Sequence, residues 1–163
     1  MIKLNTIICL TIVVLLGSEE EGFSADFQEG LIAAQNANYA IALREFRTLA
    51  EQGHASAQYR LGLMYDNGRG VKQDSKESIR WYRKSVEQGH IGSRYTLGVM
   101  YANGSGVRQD NVYAHMWFNI AASSGDENGA INRDIIARRM SKEQLDKALK
   151  LARECVRLKY KGC

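Results

Sequence analysis

Three histidines, three cysteines and two Gly-x-Gly segments are the parts of this sequence whose residue types invite a chemical reading. A zinc-type centre gathers about four ligands, each about 2 Å from one ion. His54 and His90 occupy the same place in two successive copies of one pattern, so they lie a whole structural unit apart. His115 has no Cys, Asp or His three or four residues away. No metal or other cofactor is expected. Gly68-Arg69-Gly70 and Gly104-Ser105-Gly106 share only their glycines with phosphate-binding loops, which also need a preceding strand and a following Lys-Ser/Thr or third glycine. No serine or cysteine sits in a nucleophile motif. Tyr59, Tyr95, Tyr101, Trp81 and Trp117 fall at helical spacing, as packing residues rather than a ligand cage. The sequence therefore predicts no catalytic residue and no small-molecule substrate.

The stretch that must position these residues is written twice, as 54–89 and 90–125. The copies share His54/His90, Tyr59/Tyr95, Leu61/Leu97, Gly62/Gly98, Met64/Met100, Tyr65/Tyr101 and Asn67/Asn103. They go on to share Gly68/Gly104, Gly70/Gly106, Val71/Val107, Gln73/Gln109, Asp74/Asp110, Trp81/Trp117 and Gly89/Gly125, at a period of 36 residues. Gly53 closes an earlier, weaker copy. A fixed period of about 20–50 residues marks a solenoid, in which units too small to bury their own apolar faces stack into one continuous core.

Within a copy, Ala55, Ala57, Leu61, Met64 and Tyr65 recur at helical spacing. Asn67-Gly68-Arg69-Gly70 breaks that helix, because the paired glycines supply the left-handed backbone of a turn. Asp74 with Glu77 reads as a capping box that opens a second helix bearing Ile79, Trp81, Tyr82 and Val86, and Gly89 stops it. Gly62 and Gly98 interrupt helices at one register, although glycine costs about 1 kcal/mol there relative to alanine. They predict a place where two helices approach too closely for a Cβ. The fold expected is all-α, a solenoid of stacked helix-turn-helix repeats.

The run Leu-Gly-x-x-Tyr-x-x-Gly-x-Gly-Val, then Gln-Asp, then Trp-Tyr or Trp-Phe and a closing glycine, resembles the Sel-1-like repeat, a relative of the tetratricopeptide repeats with a longer inter-helix turn. The resemblance covers nearly all of the chain after residue 25, with 27–53 and 126–140 as degenerate ends. Lys72 and Arg108 stand where the family often has proline. The repeat-structural positions are Gly62, Tyr65, Gly68, Gly70, Trp81 and Gly89, and in the next copy Gly98, Tyr101, Gly104, Gly106, Trp117 and Gly125. What the resemblance implies is adaptor work: a non-enzymatic scaffold that binds a protein partner on the concave face of the stacked first helices. On residues 55–67, Ser56, Arg60 and Leu63 form a stripe apart from the packing stripe, matched by Gly92, Thr96 and Val99. The alternative is an envelope enzyme acting on cell wall or β-lactams. Secreted family members associated with β-lactams carry cysteine pairs within each repeat, and these repeats have none.

The ends complete the layout. Lys3 followed by the apolar run Ile7–Leu16 reads as a signal peptide over 1–25, cleaved after Ala25, with Cys9 as filler. An uncleaved anchor in the inner membrane is the competing reading. The exported chain, 26–163, would be secreted or periplasmic, with a capping helix pair at 26–53 and capping helices at 126–163. In the first pair Phe27, Leu31 and Ala34 mark one packed face and Ile41, Leu43, Phe46, Leu49 and Ala50 the other. Asn128–Met140 reads as a last first-helix, and a terminal helix opens on a Ser141/Gln144 capping box and closes the core with Leu145, Ala148, Leu149, Ala152, Cys155 and Val156. Eight helices in four pairs are expected, and the absence of proline suits a nearly all-helical chain. Residues 133–161 hold ten Lys/Arg against four acids, a net +6. That charge serves as a solubilising outer face or as peripheral contact with an anionic membrane, while no aromatic stacking run or RNA-module motif points to nucleic acid. After export, Cys155 and Cys163 would sit in an oxidising compartment and pair. On a continuous helix eight residues span about 12 Å, too far for a bridge, so the tail must fold back through Tyr160-Lys161-Gly162. In a cytosolic chain both would remain thiols.

Overall fold

The computed structural model describes residues 26–163. The expected signal peptide, its cleavage site and Cys9 lie outside the described residues. Eight helices run in chain order among the described residues: α1 (26–35), α2 (Tyr39–Glu51), α3 (Ala55–Asn67), α4 (Ser75–Glu87), α5 (Ile91–Asn103), α6 (Asn111–Ala122), α7 (Glu127–Ala137) and α8 (Lys142–Arg157). From α2 to α7 each helix packs on its chain neighbours, whereas α7 and α8 both lie on α6 and do not form the fourth pair that was expected.

Local chemistry sets the helix starts. Asp74 and Asp110 each accept two backbone N–H bonds, from Lys76 and Glu77 and from Val112 and Tyr113. The expected capping box at Asp74 forms only by half. The Asp74 N–H donates to the Tyr65 carbonyl, and the Glu77 carboxylate pairs with Arg80 instead. The box at Ser141 and Gln144 is complete. His54 and His90 cap α3 and α5, each accepting through Nδ1 from the backbone N–H of Ala57 or Ser93.

The two glycines of each turn do different work. Gly68 and Gly104 close their helices in left-handed geometry, at φ 65° and 75°. Gly70 and Gly106 lie against the first residue of the preceding second helix: a Cβ on Gly70 would meet the Tyr39 carbonyl at 2.7 Å, and one on Gly106 would strike that of Ser75. The turn therefore docks each repeat on the one before it. Ser93 and Ser85 add a polar seam, with Ser93 Oγ donating to Ser85 Oγ and that hydroxyl to the Ala55 carbonyl.

Gly62 and Gly98 occupy the predicted close approach, and the object that fills it is an aromatic ring of the second helix. Their missing Cβ atoms would lie 2.7 Å from the Tyr82 ring and 2.5 Å from that of Phe118. Gly30 faces Phe46 in the same way at 2.6 Å, so the weak first pair repeats a device that sequence comparison passed over. Beside each such ring sits another from the first helix: Phe27–Phe46, Tyr59–Tyr82 and Tyr95–Phe118, with centroids 5.7, 5.6 and 5.7 Å apart.

The core is not one continuous body. Ala33, Ala42, Phe46, Leu49, Ala50, Ala57, Leu61 and Met64 form one buried cluster, and residues from Ile79 to Cys155 form a second. The helices α3 and α4 interlock the two, since Tyr59 and Leu63 reach into the second cluster and Trp81 into the first. At the C-terminus, Ala148, Ala152 and Cys155 close the core as expected, but Leu149 and Val156 are exposed. Those two side chains point away from α6, and Leu151 packs on the cluster instead. Cys155 and Cys163 are bridged, with Cα atoms 5.6 Å apart. Helix α8 ends at Arg157, and the reversal uses left-handed backbone at Lys159 and Tyr160 as well as at Gly162.

Candidate partner-binding face

The stripe read from the repeats runs along α3 and α5, and its members are not equivalent. Arg60 is exposed, while Ser56, Leu63, Thr96 and Val99 are half-buried. Leu63 and Val99 lean against the second core cluster, so they present only part of their surface. The Thr96 hydroxyl donates to the Gly92 carbonyl one turn back. Arg60 and Leu63 come together in a depression of about 60 Å³ shared with Ala34, Tyr39, Phe46, Met64 and Arg69. The Arg69 guanidinium stands 5.7 Å from the centroid of the Tyr39 ring. This depression joins the first helix pair to the first full repeat and is flanked by two cations.

Other repeated polar groups hold the framework. Arg47 and Arg83 donate to the hydroxyls of Tyr65 and Tyr101, and Gln73 and Gln109 donate to the carbonyls of Asp66 and Ala102. Repetition of Gln73/Gln109 and Tyr65/Tyr101 in the sequence was the signal for these bonds. His54 stacks near Phe27 and His90 on Tyr59, with centroids 4.8 and 4.5 Å apart. Burial pushes both imidazoles below their usual pKa, and for His90 the nearby Arg60 and Arg94 push further.

Nothing repeats at Arg94 or His115. Arg94 is 8% exposed, donates to Ser124 Oγ and lies with its guanidinium 4.5 Å from the centroid of the Tyr160 ring. His115 is buried with Nδ1 lacking a partner, and burial lowers its pKa, Arg133 adding to the effect. Among the described residues no group of three or more His, Cys, Asp or Glu is placed to hold a metal ion. No described helix is long and apolar enough to cross a membrane.

Helix pairs repeated at a fixed period and docked through glycine turns define a helical-repeat solenoid, a class that works by presenting extended surfaces. The particular repeat is Sel1: the Sel1 repeat model matches residues 55–90 and 93–126, and the chain is an α-solenoid built on Sel1 repeats. Among solved structures it is similar to a protective antigen of uropathogenic Escherichia coli displaying an SLR fold, at 32% identity and TM-score 0.79, over 88% of this chain and 32% of that one. It is also similar to a Sel1 repeat protein from Oxalobacter formigenes, at 25% identity and TM-score 0.65, over 83% of this chain and 61% of that one. The chain thus spans about a third and about three fifths of the lengths of these relatives. No curated protein matches it. Sel1-repeat proteins generally mediate protein–protein interaction, and the family is typically a non-enzymatic scaffold.

Proposed function

We propose that this protein is an exported, non-enzymatic adaptor that binds a protein partner through the face carried by α3 and α5, the concave side in repeat solenoids. The observation that carries the reading is the depression holding Arg60 and Leu63, where a partner side chain meets Tyr39 and two guanidinium groups. Ser56 belongs to the same helix, and Thr96 and Val99 on α5 extend the face by one repeat. The Cys155–Cys163 bridge supports export, because such bonds persist in oxidising compartments. Affinity capture from an envelope extract, identified by mass spectrometry, supplies the partner. Purified partner should then bind wild-type protein and lose affinity for the Arg60→Glu/Thr96→Asp variant. Unchanged binding removes this face from the reading.

A second reading attaches to α8. Leu149 and Val156 are exposed on a helix that also bears Lys147, Lys150 and Arg153, which suits peripheral contact with an anionic membrane. Co-sedimentation with anionic liposomes that weakens as salt rises supports it, and binding indifferent to salt rejects it.

A further inference from the structure

Helix α7 is a first helix that lacks its second. Its N-cap, Asp126, stands one period after His90, the N-cap of α5, so Ile131 and Ile135 take the register of Tyr95 and Val99. It also docks on the preceding unit as α5 does. A Cβ on Gly129 would lie 2.9 Å from that of Ala121 on α6, and one period earlier Ser93 Oγ donates to Ser85 Oγ on α4.

What differs is the cover. The ring of Tyr59 packs on Tyr82 of α4, and that of Tyr95 on Phe118 of α6. Seven residues, 68–74 and 104–110, carry the chain from each of these first helices to its second, whereas only four, 138–141, join α7 to α8. The short link has no glycine turn, and α8 crosses to α6 instead. Ile131 is therefore 58% exposed and Ile135 41% exposed.

Residues four apart share a helix face, so the row on this one reads Glu127, Ile131, Ile135, Arg139, with Arg138 beside its end. Glu127, Arg138 and Arg139 are exposed and form no ion pair among the described residues. The row is complementary to its own reversal. Laid antiparallel on a copy of itself, it sets Ile131 of each chain against Ile135 of the other and Glu127 against Arg139. A parallel pairing would set like charges together, whereas the antiparallel one also opposes the two helix dipoles. Symmetric dimers are built on patches that complement themselves in this way.

We propose that this face of α7 is a self-association surface, on which a second copy of the chain docks its own α7 antiparallel across a two-fold axis. One helix pair is a smaller contact than the about 1,200–2,000 Å² that standard interfaces bury, so the dimer is weak and forms with rising concentration. None of its residues belongs to the α3–α5 face, and the proposal does not rest on partner binding there.

Sedimentation velocity of the purified protein from about 10 µM to about 1 mM, the range of weak contacts, should show the mass rising from one chain toward two. Ile131→Lys/Ile135→Lys should stay at one chain throughout, with the circular dichroism and unfolding midpoint of wild type, because both side chains are exposed. Glu127→Lys and Arg138→Glu/Arg139→Glu should each weaken association about tenfold or more, since each sets like charges across the axis. An equimolar mixture of those two variants should recover wild-type association as a mixed dimer, because every contact again pairs opposite charges. A single-chain mass over the whole range overturns the proposal. So does a dimer that survives Ile131→Lys/Ile135→Lys, charge variants that associate as wild type does, or a mixture that stays monomeric.

Discussion

The ring of Tyr82 lies where Gly62 would carry a Cβ, 2.7 Å from that position. Glycine-to-alanine changes within helices usually stabilise by about 1 kcal/mol. Here the ring is fully buried and hemmed by Tyr59, so it has nowhere to go. Gly62→Ala and Gly98→Ala should each destabilise by about 1–3 kcal/mol, the usual cost of overpacking. Urea denaturation followed by circular dichroism measures it, and a stabilised variant would refute the close approach.

Asp74 and Asp110 each satisfy two orphan N–H groups at a helix start. Alanine at either position should cost about 0.5–2 kcal/mol, and asparagine much less, since its amide oxygen can take over the acceptor role. Comparing the alanine and asparagine variants in one denaturation series separates capping from charge.

The bridge between Cys155 and Cys163 closes a loop of about nine residues, for which chain entropy predicts about 2.6 kcal/mol. Titration of denatured, non-reduced protein from which residues 1–25 have been removed should find no reactive thiol. Reduction should lower stability by about that amount and expose the Tyr160 segment to proteases first. Two reactive thiols per chain would contradict both the bridge and the export it supports.

Burial holds His54, His90 and His115 below the ordinary imidazole value of 6.5. The unfolded chain therefore takes up protons before the folded one does. Stability is fully present above that ordinary value and falls as pH drops through it toward the folded values, after which the loss is complete. Protonation also removes the Nδ1 acceptors that cap α3 and α5. The His54→Asn/His90→Asn variant keeps a capping oxygen without titrating, so its stability should fall less between pH 7.5 and 5.5. An equal fall in variant and wild type would place the titration elsewhere.

Much of this fold was legible because its determinants act over short range. Asp74, Gly68 and the Ser141–Gln144 box do their work within four residues, so their spacing alone places helix starts and turns. The period placed Gly62 and Gly98 at a close approach, and the arithmetic of Cys155 and Cys163 required a reversal that the structure makes. What the repeat could not decide was what covers each unit. Trp81 and Trp117 share a register, yet only Trp117 is buried, because α8 and the tail lie over α6. Arg94 is drawn inside by Ser124 and Tyr160, groups 30 and 66 residues away. Leu149 and Val156 carry helical periodicity into solvent, because α8 meets α6 along a narrow line of Ala148, Ala152 and Cys155. Burial is a property of the neighbouring surface as much as of the residue. Spacing therefore determined the unit, and only the stacking of its neighbours decided which copies of a residue face one another and which face water.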